Sequence, residues 1–209
     1  MFKAILGKVH HHAIFTGRVA GIVEAMGPMI PQASKILDVG AGDGRIAAGL
    51  ANRSSAKSVE GLDVMHRPTA DIPITLFNGT EIPFADNSFD VVTFVDVLHH
   101  TDNPGVLINE AARVAREAVV IKDHFSENAV DNLTLRLMDW VGNAPHGVVL
   151  PYNYASRDAW RRWFGEAQLT QDETSDRVDL YPVPLSWIFG RGLHFVSRLL
   201  PPGSSLKSD

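Results

Sequence analysis

Residues 36–50 read ILDVGAGDGRIAAGL. An apolar run enters a loop with glycine at every second position, and small and apolar residues typical of a packed helix follow. Glycine loops between a strand and a helix usually hold a phosphate group. This loop carries two carboxylates, Asp38 at its mouth and Asp43 between its second and third glycines. Its ligand therefore has to tolerate negative charge.

The segments around the loop alternate between strand and helix patterns. Apolar runs predict strands at 35–40, 58–64, 73–79, 89–98 and 117–125, and helical patterns cover 45–53 and 103–116. The run FDVVTFVDVL is apolar at both odd and even positions, which is typical of a strand buried on both faces of a parallel sheet. The β-α-β-α alternation predicts an α/β fold through about residue 125, with a Rossmann-like doubly wound sheet and helices on both faces.

The alternation stops after residue 125. Residues 126–142 predict a helix, and Ser156 is placed to cap another. Two more strands are expected around a loop near the C-terminus, the last of them antiparallel in a mostly parallel sheet. Apolar residues at helical spacing predict two helices before the glycine loop, the second reaching Met26. We expect one domain with a polar tail from about Pro201.

The composition is that of an ordinary globular protein and excludes several kinds of site. The chain has 209 residues, 45% of them hydrophobic, and a formal net charge of −5 without a basic run, so no nucleic-acid-binding face is indicated. Cysteine is absent, which excludes disulfides and thiolate metal ligands and fits a cytoplasmic location. No apolar stretch approaches the roughly 18 to 20 residues that span a bilayer, and we expect no signal peptide.

Two ligand classes fit the glycine loop. The first is a dinucleotide, and the second is S-adenosylmethionine, which carries a sulfonium, an ammonium and a carboxylate. The dinucleotide fingerprint has glycine or alanine at the position that Arg45 occupies. Opposite charges about 4 Å apart gain on the order of 4 kcal/mol at an effective dielectric near 20, and like charges cost as much. Asp38 and Asp43 therefore favour a cationic ligand. Asp63, which ends the next predicted strand, is spaced to bind a ribose in either class.

Two further motifs, EIPFADNSFDVV at 81–92 and VLHH at 97–100, complete a pattern. Together with LDVGAGDG at 37–44, they resemble the class I S-adenosylmethionine-dependent methyltransferases, in particular a methyltransferase type 11-like domain. The resemblance covers residues 34–125 and implies a methyltransferase with S-adenosylmethionine as cofactor. It implies a single methyltransferase domain over 1–209, with a cofactor-binding core at about 34–125 and an acceptor cap with the last strands at about 126–200.

The resemblance also implies which residues bind the cofactor. The glycine loop would hold the methionine end, the acid at 63 the ribose, and residues 78–80 the adenine edge. Family members often have aspartate at position 78, so Asn78 would keep a carbonyl acceptor for the adenine amino group and lose the charge. The nine positions are Asp38, Gly40, Gly42, Asp63, Val64, Asn78, Gly79, Thr80 and Asp96. The charge argument adds Asp43.

The methyl acceptor is expected at the carboxyl ends of the strands, where open α/β sheets bind their ligands. His99, His100 and His124 follow the fourth and fifth strands, and the free pKa of histidine lies near neutrality, so we predict them as catalytic residues. A base is needed only if the acceptor is a hydroxyl or an acidic carbon. Support of the loop is the alternative role for a histidine, and ligation of a metal by His99, His100 and His124 is another, although we expect no metal.

Large aromatic and apolar side chains are frequent between residues 126 and 192. They favour a small-molecule or lipid-type acceptor and leave room for peripheral membrane contact. Two other functions stay open at this point. One is an NAD-type dinucleotide-binding oxidoreductase, and the other is a non-catalytic binding module on the same fold. The sequence does not define the oligomeric state.

Overall fold

The structure is a computed structural model, and it describes residues 17–143, 152–176, 178 and 192–206. The strands in this part of the chain are β1 (Lys35–Val39), β2 (Ser58–Asp63), β3 (Ile74–Leu76), β4 (Phe89–Val95), β5 (Ala115–His124), β6 (Thr170–Ser175) and β7 (His194–Leu200). The helices are α1 (17–26), α2 (Arg45–Arg53), α3 (Pro104–Val114), α4 (Ala129–Asn143) and α5 (Arg157–Glu166). Short 3-10 turns lie at Gly27–Met29 and Leu98–His100.

The strands form one sheet in the order β3-β2-β1-β4-β5-β7-β6. The first five are parallel to one another, and β7 runs antiparallel between β5 and β6. The chain order reverses between β1 and β4, so a crevice opens at the carboxyl ends of these two strands. The predicted α/β fold, with a mostly parallel sheet and an antiparallel last strand, is confirmed.

Helices pack on both faces of the sheet, as predicted. On one face α3 and α5 bury Ile108 and Trp160 against β4 and β5. On the other face α1 buries Ile22 and Met26 in a second apolar cluster. Burial on both faces explains why β4 is apolar at odd and even positions. This rigid sheet fixes the positions of the side chains at its carboxyl edge.

The alternation of strands and helices is interrupted at two connections, where the sequence has no helical pattern either. Residues 64–73, between β2 and β3, and residues 77–88, between β3 and β4, contain no helix. The first connection is shorter than the dozen or more residues that a parallel crossover usually takes. In place of a helix, the buried Ile72 lies against Gly44 and Gly61, and Asp71 donates a backbone hydrogen bond of 2.9 Å to Asp43.

Most of the other predicted elements are observed. The helix over 45–53 has the predicted bounds, and the hydroxyl of Ser156 caps α5 by accepting a hydrogen bond of 3.3 Å from the amide of Ala159. The first predicted helix, the histidines at 10–12 and much of the loop after α4 lie outside the described residues.

Candidate active site

The glycine loop adopts a backbone conformation that other residues rarely take. Gly40, Gly42 and Gly44 have φ angles of +79°, +59° and +77°. A Cβ atom on Gly40 would lie 2.3 Å from Cγ2 of Val97, far inside van der Waals contact. The loop therefore packs directly on the segment that follows β4. The glycine loop predicted to bind the cofactor and the turn that carries two of the predicted catalytic histidines are thus neighbours.

Asp38 is the buried acid of the loop. Its Oδ1 accepts a hydrogen bond of 2.6 Å from the hydroxyl of Thr93 on the adjacent β4. Burial raises the pKa of Asp38 to about 7, against the effect of Thr93, and the negative charge of Asp63 raises it further. No cation of the described residues pairs with this buried carboxylate, so it is suited to receive one from a ligand.

Asp63 joins the end of β2 to the glycine loop. One carboxylate oxygen accepts a hydrogen bond of 2.8 Å from the amide of Gly42, and the other accepts one of 2.8 Å from the amide of Met65. Each oxygen has a further lone pair. Asp63 therefore shapes the loop and keeps acceptor capacity for a ribose.

Asp43 faces a cation of its own chain. The guanidinium of Arg45 donates from Nε to Oδ2 of Asp43 at 2.8 Å, and both side chains are partly exposed. Arg45 holds the pKa of Asp43 below its ordinary value, although partial burial opposes this. The charge of Asp43 is thus largely compensated within the chain. The sequence argument for a cationic ligand therefore depends on Asp38.

The residues predicted for the adenine lie together but differ in detail from the expectation. Val64 is 60% exposed, and a Cβ atom on Gly79 would lie 3.2 Å from its Cγ1. The side-chain oxygen of Asn78 accepts hydrogen bonds from the amides of Thr80 at 2.9 Å and Glu81 at 2.8 Å. That oxygen was expected to face the adenine amino group, and here it holds the turn instead.

Asp96 follows β4 with a φ of +55° and has its carboxylate in a buried ion-pair network. Lys122 from β5 and Arg18 from α1 both pair with this carboxylate. Burial opposes the charged form, but these two cations hold the pKa of Asp96 well below its ordinary value. The carboxylate of Asp96 is therefore already paired with cations of the protein itself. The predicted backbone contact with the methionine end stays a prediction.

His99 lies between two carboxylates. Its Nδ1 is 2.6 Å from Oδ1 of Asp123, and its Nε2 is 3.4 Å from Oδ2 of Asp139 on α4. The hydroxyl of Tyr154 donates to the same oxygen of Asp139, and its ring stacks on His99 with the centroids 5.4 Å apart. Burial opposes the charged form, but Asp123 outweighs it and raises the pKa of His99 to about 10. As it stands, this ring is an imidazolium at neutral pH.

The other two predicted histidines differ from His99 in charge. Burial and the neighbouring His99 lower the pKa of His100 to about 4, and its Nδ1 is buried without a hydrogen-bond partner among the described residues. His124 places Nδ1 3.2 Å from Asp123 and 3.7 Å from Asp96, and burial lowers its pKa. The structure brings all three histidines together and distinguishes one cation from two neutral rings. We call the set His99, His100, His124, Asp123 and Asp139 the histidine cluster.

Two residues at this cluster were missed in the sequence analysis. Asp139 and Tyr154 lie on α4 and beyond the loop that follows it, and no local motif marks either of them. Lys122 did carry a signal, because a lysine inside the apolar run AVVIKDHF has to find a buried partner.

Among the described residues, no helix is long and apolar enough to cross a membrane.

Comparisons with known proteins agree with this geometry. A family described as Methyltransferase domain matches residues 10–174. A demethylmenaquinone methyltransferase of Renibacterium salmoninarum is 35% identical over 100 residues, which are 46% of this chain and only 41% of that protein's length.

Solved structures share the fold at low sequence identity. An S-adenosylmethionine-dependent methyltransferase of Thermotoga maritima superposes with a TM-score of 0.65 at 18% identity, covering 95% of this chain and 97% of the other. One from Mesorhizobium loti gives a TM-score of 0.62 at 14% identity, with coverages of 83% and 94%.

The family match extends over more than half of the chain and includes the glycine loop, the acids at the strand ends and the histidine turn. It sets aside the dinucleotide-binding oxidoreductase and the non-catalytic module. The chain belongs to the methyltransferase domain family and is a class I methyltransferase with S-adenosylmethionine as its cofactor.

Proposed function

We propose that this methyltransferase transfers the methyl group of S-adenosylmethionine to a small-molecule or lipid-type acceptor bound at the histidine cluster. The observation that carries the proposal is the contact between Gly40 and Val97. It brings the loop predicted for the methionine end against the segment that leads into the turn Leu98–His100. A methyl group held by the loop is then presented toward the cluster.

In this proposal the cofactor is held mainly through charge and hydrogen bonds at the strand ends. Asp38 receives the ammonium group, because it is a buried acid without a cationic partner among the described residues. Asp63 accepts from the ribose with its remaining lone pairs, and Val64 packs on the adenine. Asn78 offers its amide nitrogen to the adenine ring, since its oxygen is engaged by the turn. Gly79, Thr80 and the backbone of Asp96 complete the pocket, while Asp43 stabilises the loop through Arg45.

The chemical step moves one methyl group and one proton. Bound S-adenosylmethionine would supply an activated methyl group to a carbon or oxygen of the acceptor, and the electron pair of the broken carbon–sulfur bond would stay on the sulfur. The acceptor loses a proton to the cluster or to solvent, and S-adenosylhomocysteine leaves as a neutral thioether. Alignment of the two reactants supplies most of the catalysis, since the sulfonium is already activated. The cluster stabilises the anionic form of the acceptor.

An apolar acceptor is supported by the surface of α4. Leu133 is 70% exposed and Leu137 51% exposed, and Trp140 and Val130 extend the same stripe. The same helix carries Asp139 into the histidine cluster, so the apolar surface lies beside the site. The Renibacterium relative is, by its name, a methyltransferase of demethylmenaquinone. We therefore propose a quinol-type or similar lipid-like acceptor, with peripheral contact to the membrane that contains it.

We further propose that the enzyme is cytoplasmic and that residues 1–209 act as a single domain. A chain without cysteine fits a reducing compartment, which supports the location. The lack of a basic run supports a small acceptor over a nucleic acid.

The test is methyl transfer with a labelled donor. We expect label to enter demethylmenaquinol in lipid vesicles, and less to enter a short naphthoquinol without a tail. The double variant Leu133→Ser with Leu137→Ser should raise KM for the vesicle-borne quinol several-fold and leave kcat unchanged. Val106→Ser, at a half-exposed position on α3, is the matched control and should change neither. Binding of S-adenosylhomocysteine without labelling of either quinol would overturn the acceptor class.

A further inference from the structure

We propose that the turn after β4 and helix α4 form a binding site for one divalent transition-metal ion. The ligands are Nε2 of His99, which releases its proton to solvent when the ion binds, one ring nitrogen of His100 and a carboxylate oxygen of Asp139. Zinc, iron(II), cobalt or manganese suits two imidazoles and one carboxylate. The site lies in the histidine cluster, but its occupancy by metal does not depend on which acceptor the enzyme uses.

The spacing of these ligands fits one ion. The three ligand atoms lie within 4.8 Å of one another, and Nε2 of His99 is 3.4 Å from Oδ2 of Asp139. Ligands that are each about 2.0 to 2.2 Å from a shared ion are roughly 3 to 3.5 Å apart. The histidine and the carboxylate are thus already at coordination spacing, and a small movement of the His100 ring completes the set.

Two buried nitrogens provide an independent observation. Nδ1 of His100 is buried and has no hydrogen-bond partner among the described residues, and the buried Nε2 of His99 has only its ion-pair contact of 3.4 Å to Asp139. His99 as a whole is 2% exposed. Buried polar atoms in folded proteins are nearly always satisfied, so these two adjacent nitrogens call for a missing ligand. A cation between them satisfies both atoms at once.

Hydrogen bonds from neighbouring side chains also hold the ligands in place, as in known metal sites. Asp123 binds Nδ1 of His99 at 2.6 Å, which fixes the ring and directs Nε2 outward as the coordinating atom. A carboxylate behind a histidine ligand is the usual second partner in such sites. On the other side, the hydroxyl of Tyr154 donates to Asp139 and fixes that carboxylate.

A second grouping in the same cluster is a poorer metal site. His99, Asp123 and His124 are also close together. However, the 2.6 Å between Nδ1 of His99 and Oδ1 of Asp123 is the length of a hydrogen bond, and it is too short for two ligands of one ion. The first grouping leaves that hydrogen bond intact.

The metal has a chemical use that rests on the proposed function. Three protein ligands leave at least one coordination position open, as in catalytic metal sites. An oxygen of the acceptor in that position loses its proton more readily, because the ion stabilises the oxyanion. His100 is then a ligand, and the proton of the acceptor passes to solvent.

Titration calorimetry of the full chain with Zn²⁺, and the visible spectrum of Co²⁺, test the site directly. The background protein carries alanine in place of His10, His11 and His12, so that this run does not bind the added ion. We expect one ion per chain and a Kd at least tenfold weaker in His100→Ala and in Asp139→Asn. His66→Ala removes an exposed histidine elsewhere and should leave the Kd unchanged.

Two results would overturn the metal site. One is background protein that binds neither ion, which leaves His99 as an imidazolium between two carboxylates. The other is equal affinity in His100→Ala, Asp139→Asn and the background, with circular dichroism showing that all are folded. S-adenosylhomocysteine binding, measured on the same samples without metal, separates this failure from a failure of the proposed function.

Discussion

His99 and Asp123 form a buried pair in which Nδ1 of the imidazole lies 2.6 Å from Oδ1 of the carboxylate. Asp123 also accepts hydrogen bonds from the amides of Leu98 at 3.1 Å and His124 at 2.9 Å. One side chain at the end of β5 therefore organises the turn after β4 and the end of its own strand. The acceptor side of the site depends on this carboxylate for its shape and its charge.

The first prediction concerns this pair. Asp123→Asn leaves a buried cation without its main counter-ion, and breaking a buried pair in this way costs about 3 to 5 kcal/mol. We expect that loss in the free energy of unfolding in urea at pH 7. Asp86→Asn, which disrupts an exposed pair with Arg113, is the control and should cost less than about 1 kcal/mol. Equal losses in the two variants would contradict the role of Asp123.

The second prediction concerns Asp63. If it accepts both ribose hydroxyls, Asp63→Ala should weaken S-adenosylhomocysteine binding by about 2 to 3 kcal/mol, since hydrogen bonds to a charged acceptor are lost. Calorimetry measures the affinity, and thermal unfolding checks that the variant folds without its bonds to Gly42 and Met65. Glu60→Gln, on the same strand but exposed to solvent, serves as control. Unchanged affinity in folded Asp63→Ala contradicts the assignment.

The third prediction concerns pH. The pKa of Asp38 is about 7 in the free protein, so the carboxyl is largely protonated below pH 7. An ammonium group favours the ionised form, and binding below pH 7 therefore releases a proton. Affinity for S-adenosylhomocysteine should rise with pH up to about 7 and then level off.

Two comparisons check the origin of this pH dependence. Asp38→Asn should bind S-adenosylhomocysteine more weakly and lose the dependence, because the titrating group is gone. Adenosine lacks the ammonium group, so its affinity should be nearly the same in both proteins and at every pH. A pH profile for S-adenosylhomocysteine that is identical in Asp38→Asn and the parent protein would exclude Asp38 as the ammonium partner.

The fourth prediction concerns the loop backbone. Gly40→Ala adds a Cβ atom 2.3 Å from Val97 and forces alanine into a φ of +79°. The left-handed backbone alone costs roughly 1 to 2 kcal/mol, and the clash adds to it. We expect loss of stability and of cofactor binding together. Gly165→Ala, in the last turn of α5 where the added atom meets nothing, should instead stabilise by about 0.4 to 1 kcal/mol, chiefly by restricting the unfolded chain.

The local fold around the glycine loop was predictable from the sequence, because local patterns determine it. A strand, a glycine loop and a helix start are contiguous in the chain, and the acid at 63 ends the next strand. Burial on both faces made β4 recognisable for the same reason. The two connections without helices agree with the lack of a helical pattern there, and in the short segment 64–73 the buried Ile72 packs against Gly44 and Gly61.

The acceptor half was predictable only in part. The histidines were found because a motif surrounds them, whereas Asp139 and Tyr154 reach the cluster through the tertiary fold. The sequence also could not show which histidine carries a charge. Neighbours distant in sequence raise the pKa of His99, whereas the pKa of His100 is lowered. The metal ligands considered from the sequence were His99, His100 and His124, and Asp139 was not among them.

The two ends of the sheet bear on how copies of this chain can associate. β3 has only three residues, and β6, at the opposite end, carries the acids Asp172 and Glu173. Very short or charged outer strands discourage hydrogen bonding to a strand of another molecule. A sheet continued from one copy into the next is therefore disfavoured on both sides. Among the described surfaces, the apolar stripe on α4 is one that a second copy and a lipid acceptor would compete for.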